Sequence, residues 1–266
     1  MNNFNERTKL AMELAKIAGK EIKRIREEED INVREKGTND VVTVADYQSE
    51  KLIIDRIMEV FPDDTIISEE VGKYHEGTSG YSWAIDPVDG TLNYSRGMPH
   101  YCVSVGYMKE GVPYGGAIYI PELNELYYGE KNMGSFCNEK RLKVSVTASL
   151  DKSIALMDFT NRNEELSNFF NNTYTSCMNN MVNVLKIFSG ATSLCYIASG
   201  KIDAYIGGYG YIWDFCVGYV LITEAGGICS SINNKEIDFT RIDKYIVLAA
   251  NKNIYSEFSN IVNKNL

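Results

Sequence analysis

Trp83-Ala84-Ile85-Asp86-Pro87-Val88-Asp89-Gly90-Thr91 is the stretch on which the fold and chemistry of this 266-residue chain turn. An apolar run ends in two carboxylates three positions apart, separated by a stiff proline and followed by a permissive glycine. Pro87 fixes φ and offers no N–H, while Gly90 can adopt backbone conformations closed to other residues. If a helical turn starts at Gly90-Thr91, its free amides form an anion site. Carboxylates next to such amides would repel a phosphate unless a cation lay between them, and Mg²⁺ prefers hard oxygen ligands with room for water and phosphate. Taken alone, Asp-Pro-x-Asp-Gly equally reads as a turn.

Three more segments place acids in comparable positions. Residues 65–68 and 81–85 are short apolar strands, and each runs into acids, Glu69-Glu70 and Asp86. The acids therefore sit at strand ends. Thr43 is a suitable N-cap for a helix carrying Leu52, Ile53, Ile57 and Val60 that stops before Pro62, with Asp46 on its first turn. Trp213-Asp214 opens an apolar helix closed by Gly226-Gly227.

Leu10, Leu14, Ala18, Ile22 and Ile25 recur at helical spacing, so residues 4 to about 28 form an amphipathic packing helix. Lys36-Gly37-Thr38-Asn39-Asp40 is a turn cluster. Residues 101–136 alternate β-branched and aromatic runs with Lys109-Glu110-Gly111, Pro121-Glu122-Leu123-Asn124 and Asn132-Met133-Gly134, the punctuation of antiparallel hairpins. Beyond Leu150, helices at 191–199 and 214–225 and a last one from Ile254 alternate with strands at 228–232 and 245–249. Helices, a meander, then alternation give an α/β (α+β) layered sandwich of two subdomains, 1–150 and 151–266, the second carrying Asp214.

Lysine plus arginine number 27 against 36 aspartate plus glutamate, a net charge of −9. Binding to nucleic acid or an anionic membrane is opposed on charge alone. The longest apolar run, residues 215–222, is too short to span a bilayer, and no signal segment opens the chain, so a cytoplasmic protein is expected. The six cysteines stand singly, as free and mostly buried thiols. His75 and His100 adjoin no motif residue and are assigned to surface or packing, which weakens any Ser-His-Asp or zinc chemistry.

Together, DVVTVAD, ISEE, WAIDPVDGTLNY and WDFCVGYVLITEAGG resemble the inositol monophosphatase family, in that family's order and across nearly the whole chain. The resemblance implies an αβαβα sandwich like that of inositol monophosphatase and fructose-1,6-bisphosphatase. It implies a Mg²⁺-dependent, lithium-sensitive phosphatase for a small-molecule phosphate ester, and a homodimer. One metal would be held by Glu69, Asp86 and the Val88 carbonyl, a second by Asp86, Asp89 and Asp214, and a third, weaker one near Glu69 through water. Gly90 and Thr91 amides would take phosphate oxygens, and Thr91 Oγ with Asp46 would remove a proton from the attacking water. Lys36 matches a basic residue that steadies metal-bound waters, or is a solvated lysine. Glu70 is a second support for the metals or an exposed acid.

Inositol-specific members carry a glutamate seven positions before the aspartate of the WD pair, and here that position is Gly207. The family's arginine and small-residue stretch is altered to Lys186-Ile187-Phe188-Ser189-Gly190-Ala191. Both departures fall in the substrate pocket. Inositol phosphates, fructose 1,6-bisphosphate, NADP⁺ and 3′-phosphoadenosine nucleotides are all open as substrates, beside a non-catalytic role in binding a phosphorylated ligand. Residues 205–211 are a substrate-facing loop, or a strand and glycine turn. In the first case Gly208 and Gly210 leave space, and Tyr209 and Tyr211 stack on a flat group.

Overall fold

The computed structural model describes residues 4–28, 31–37, 40–159 and 164–266. Helix α1 (Glu6–Glu28) leads into hairpin strands β1 (Arg34–Gly37) and β2 (Asp40–Val42), then α2 (Val44–Val60), β3 (Thr65–Ser68), β4 (Gly72–His75), β5 (Tyr81–Asp89) and α3 (Thr91–Ser95). A meander follows: β6 (Cys102–Lys109), β7 (Val112–Ile120), β8 (Glu125–Glu130), β9 (Gly134–Cys137) and β10 (Lys140–Arg141). The remainder comprises β11 (Ile154–Asp158), α4 (Glu164–Asn180), β12 (Asn183–Leu185), α5 (Gly190–Ala198), β13 (Ala204–Gly210), α6 (Ile212–Glu224), β14 (Ile228–Ser231), β15 (Tyr245–Ala250) and α7 (Tyr255–Asn263). Thr38 and Asn39 of the expected turn cluster lie outside the described residues.

The larger sheet has the order β10-β9-β8-β7-β6-β5-β3-β4 and the smaller β12-β11-β13-β15-β14. Strand alternation sends successive side chains to opposite faces, and the cores follow that period. Trp83, Ile85, Val103 and Val105 face α1 and α2, packing with Leu14, Ile22, Ile53 and Ile57. Ala84, Cys102 and Ile118 turn the other way, towards α5 and α6, and meet Leu156, Tyr205 and Val247 of the smaller sheet there. On that sheet's far face Met157, Ile206 and Leu248 pack against Phe170 of α4 and Phe258 of α7. The order is helix, sheet, helix, sheet, helix, the expected five-layer sandwich. Each buried Ile or Leu contributes about 1.5–3 kcal/mol through its removal from water.

Among the described residues no helix is long and apolar enough to cross a membrane. All six cysteines are free thiols, five of them buried. Two details differ from the expectation. Strand β5 does not end before the acids but runs through Asp86 to Asp89, and β11, α4 and β12 fill the stretch after Leu150 that carries no clear sequence signal.

Candidate active site

Asp86 and Asp89 are three apart, so a regular strand would point them to opposite faces. Pairing with β6 shows how this is avoided. Asp86 aligns with Ser104 and Asp89 with Cys102, so β5 holds one residue more than β6 over this interval, a bulge at Pro87-Val88. Proline is tolerated there because no ladder bond is required of it. Ser49 Oγ of α2 donates to the Pro87 carbonyl at 3.0 Å and braces the bulge. Both carboxylates thereby reach the side on which α6 begins. Asp214, in the first turn of α6, completes a group in which one carboxylate oxygen from each of the three aspartates lies within 4.8 Å of the others.

Glu69 comes alongside because β3 runs parallel to β5, with Ser68 aligned to Ile85, and its amide donates to the Ile85 carbonyl at 3.1 Å. Burial holds Asp86 well above the usual carboxylate range, with Glu69, Asp89 and Asp214 adding to the effect. Glu69 is pushed up to about 8, first by desolvation, with Lys36 opposing and Asp214, Glu70 and Asp46 adding.

Asp46 and Thr91 also meet. Thr43 caps α2, and Asp46 Oδ2 accepts from Thr43 N at 2.8 Å and Thr43 Oγ1 at 2.6 Å, a capping box. Asp46 Oδ1 is thereby turned to the Thr91 hydroxyl at 3.3 Å, and that hydroxyl lies 2.8 Å from the Val88 carbonyl. Desolvation raises Asp46 despite its bonds from Thr43. Gly90 precedes α3 with φ 84°, and a Cβ there would fall 2.7 Å from the His100 carbonyl. Only glycine fits that turn. The backbone carbonyl of His100 thus forms part of its wall.

The structure adds residues that the sequence did not point to. Asp89 sits at the N-terminus of α5. Its Oδ2 accepts from Ser189 Oγ at 2.5 Å, Ala191 N at 3.0 Å and Cys102 Sγ at 3.4 Å, and its Oδ1 from Gly190 N at 3.2 Å. The altered 186–191 segment is therefore not only pocket wall but also the clamp on Asp89. Asp158 holds the same segment, accepting from Ile187 N at 3.0 Å, Phe188 N at 2.8 Å and Ser193 Oγ at 2.5 Å. Two more expectations change. Lys36 is not simply solvated but bridges Glu69, at 3.4 Å, and Glu70. Glu70 is no exposed acid, since its side chain is 1% exposed.

Beside the carboxylates lies a cavity of about 190 Å³ bordered by Asp89, Asp158, Phe188, Tyr205, Gly207 and Asp214. It is smaller than the ~300–1,000 Å³ typical of pockets for drug-sized ligands. Residues 204–210 form strand β13, which breaks register with β15 between Gly207 and Gly210. The glycines here do not leave space. A Cβ on Gly208 would fall 2.5 Å from the Phe170 ring, and one on Gly210 would fall 2.6 Å from Asp214 Oδ2. Tyr211 stacks on Trp213 with ring centres 4.6 Å apart, so its face is taken, while Tyr209 remains exposed.

Comparison with known proteins follows the same lines. The model of a family described as the inositol monophosphatase family matches residues 3–265. A protein of Aquifex aeolicus named fructose-1,6-bisphosphatase/inositol-1-monophosphatase is 36% identical over 197 residues, 74% of this chain and 74% of its own. The Escherichia coli K12 protein named Nus factor SuhB is 32% identical over 239 residues, covering 90% of this chain and 87% of its own. A solved structure of a Thermotoga maritima IMPase superposes with a TM-score of 0.87 at 27% identity, over 98% of each chain.

Proposed function

This chain belongs to the inositol monophosphatase family, and from that premise we propose that it hydrolyses the phosphate monoester of a small alcohol with Mg²⁺ as cofactor. The observation that carries the reading is the convergence of Asp86, Asp89 and Asp214 to within 4.8 Å. Carboxylates this close, two of them buried and the third half-buried, destabilise one another unless a cation lies among them, and their oxygens are the donors Mg²⁺ takes. Glu69, Asp86 and the Val88 carbonyl would hold one ion, Asp86, Asp89 and Asp214 a second, and Glu69, through water, a third. When bound, Mg²⁺ supplies Lewis-acid chemistry, acidifying water and offsetting charge on the phosphate and on the leaving oxygen.

The chain's own groups bind, orient and move the proton. The Gly90 and Thr91 amides take phosphate oxygens at the start of α3. Thr91 Oγ1 passes its proton to Asp46 Oδ1 and accepts one from the attacking water, a relay supported by the 3.3 Å contact between them. Lys36 steadies Glu69 and Glu70 from the β1–β2 hairpin. The names of the relatives bring inositol 1-phosphate and fructose 1,6-bisphosphate as candidate substrates, and NADP⁺ and 3′-phosphoadenosine nucleotides belong to the same test. The small cavity supports a compact alcohol. Subdomains 1–150 and 151–266, a homodimer and a cytoplasmic location complete the proposal. Strands β3–β10 fall in the first of these ranges and β11–β15 in the second.

The test is phosphate release from a panel of phosphomonoesters with Mg²⁺ or with excess chelator. Turnover should require Mg²⁺, and Asp89→Asn should remove it by roughly 10²–10³-fold with an unchanged circular dichroism spectrum. Full turnover in chelator, or in Asp89→Asn, would overturn the reading. The name of the E. coli relative brings a second one, a role in binding a partner. It predicts no phosphate release from any ester.

A further inference from the structure

The space beside Gly207, where the resemblance would imply a carboxylate in an inositol-specific member, is not vacant in this chain. Tyr205 and Gly207 are two apart on β13, so they address the same face of the smaller sheet. A Cβ built on Gly207 would fall 2.2 Å from Tyr205 Oη, 2.6 Å from Cζ and 2.7 Å from Cε1. The phenol therefore occupies the volume in which any side chain at 207 would begin. Tyr205 is 4% exposed, and what remains accessible borders the cavity.

The carboxylates around that cavity already accept hydrogen bonds. Both oxygens of Asp158 hold the 187–193 segment. Asp89 accepts four donors, and Asp214 Oδ2 accepts the Tyr211 amide at 2.5 Å. Among the described residues none gives or takes a hydrogen bond at Tyr205 Oη. The same hydroxyl lies 3.4 Å from the point where a Cβ on Gly190 would stand, and Asp89 Oδ1 lies 4.0 Å from that point. The space above Gly190 is thus bounded on one side by the carboxylate group and on the other by an unpaired phenol.

The geometry points to Tyr205 as the residue that reads the alcohol half of the substrate, with a phenolic hydroxyl taking the place of the missing carboxylate. This rests on the phosphatase reading above and deepens it. An ionised carboxylate only accepts hydrogen bonds and can take two hydroxyls at once, whereas a phenol offers one proton and accepts in turn. The substrate class that fits is a small phosphate ester with a single hydroxyl or ether oxygen near the ester carbon. A vicinal diol gains no second partner from this residue.

Tyr205→Phe removes only the oxygen and keeps the ring that fills the wall. Loss of one neutral hydrogen bond should lower the ratio of kcat/KM for glycerol 2-phosphate over phenyl phosphate roughly tenfold, mainly through KM. An unchanged ratio overturns the inference. That holds whether neither rate moves or both fall together, the latter meaning that Tyr205 only props the carboxylates. If wild-type protein releases no phosphate from either ester, the phosphatase reading fails. The same ratio is then taken from calorimetric dissociation constants of the two esters with Mg²⁺, and an unchanged ratio again overturns the inference. A second arm guards against a folding artefact. Gly207→Glu alone should fold poorly or lose binding, because the phenol is in the way, while Tyr205→Ala with Gly207→Glu should recover the fold and raise relative efficiency on inositol 1-phosphate. Free accommodation of Gly207→Glu beside an intact Tyr205 would show that the phenol does not hold this place.

Discussion

At the scale of single residues the site is a balance between burial and charge. Thr91 illustrates the local chemistry, since its hydroxyl can give its one proton to Asp46 or to the Val88 carbonyl but not to both. Thr91→Ala should lower kcat by ~10²–10⁴-fold with little change in KM, because the backbone amide survives. Steady-state kinetics showing an unchanged kcat with a raised KM would reassign the hydroxyl to substrate binding. The carboxylates make a second case. Glu69 and Asp86 are raised by burial and by their neighbours, so without a cation the folded chain binds protons there more tightly than the unfolded chain. Folding stability from these groups is then present below the unfolded carboxylate range, and it declines as pH rises from ~4.5 towards the Glu69 value of about 8. In chelator, Tm should fall between pH 5 and pH 8. Added Mg²⁺ should raise Tm more at pH 8 than at pH 5, because it replaces those protons. Equal increments at the two pH values would count against a cation among these groups.

At the scale of elements, sequence pattern and packing part company in instructive places. The apolar stripe of α1 was legible from its spacing. Gly19 within it was not, because a mid-helix glycine has no local signature of what it faces. A Cβ there would fall 2.4 Å from Tyr119 Cδ1, a side chain 3% exposed on β7. Alanine would gain about 1 kcal/mol in helix propensity, but overpacking against a buried ring costs about 1–3 kcal/mol. Gly19→Ala should therefore destabilise the protein, and a urea midpoint that moves upward would show that α1 can lift off β7 without cost. The acids after β3 and within β5 could be placed near strand ends from their apolar lead-ins, and Asp46 could be placed on α2 from the Thr43 cap. The bulge at Pro87-Val88 was not legible, since it is defined by pairing with β6. Nor were the bonds from Ser189, Cys102 and Ala191 to Asp89, which join positions far apart in the chain. The glycines of β13 suggested open space, and only the folded sheet reveals the Tyr205 and Phe170 rings that fill it. Alternation along that strand would have indicated Tyr205 as the neighbour of Gly207.

At the scale of the whole molecule the layers divide the chemistry. Asp86 and Asp89 belong to the larger sheet and Asp214 to a helix of the middle layer, while Tyr205 and Asp158 belong to the smaller sheet. On the proposed function, the phosphate end of the substrate falls to one sheet and the alcohol end to the other. Lithium bears on the first alone. Li⁺ occupying the position among Asp86, Asp89 and Asp214 should inhibit turnover at saturating Mg²⁺, whatever the alcohol. LiCl titrations with KCl as ionic control, run on two unrelated esters, check this. No loss of rate in either would argue against that arrangement of carboxylates.

The segment 187–191 joins these two ends. Its amides and Ser189 grip Asp89, and Asp158 grips its first residues from the opposite side. On the proposed function, substitution in this wall should act on cation affinity and on substrate choice together. A lineage that retuned its substrate here would change its appetite for metal in the same step, so the two properties should vary in concert among relatives.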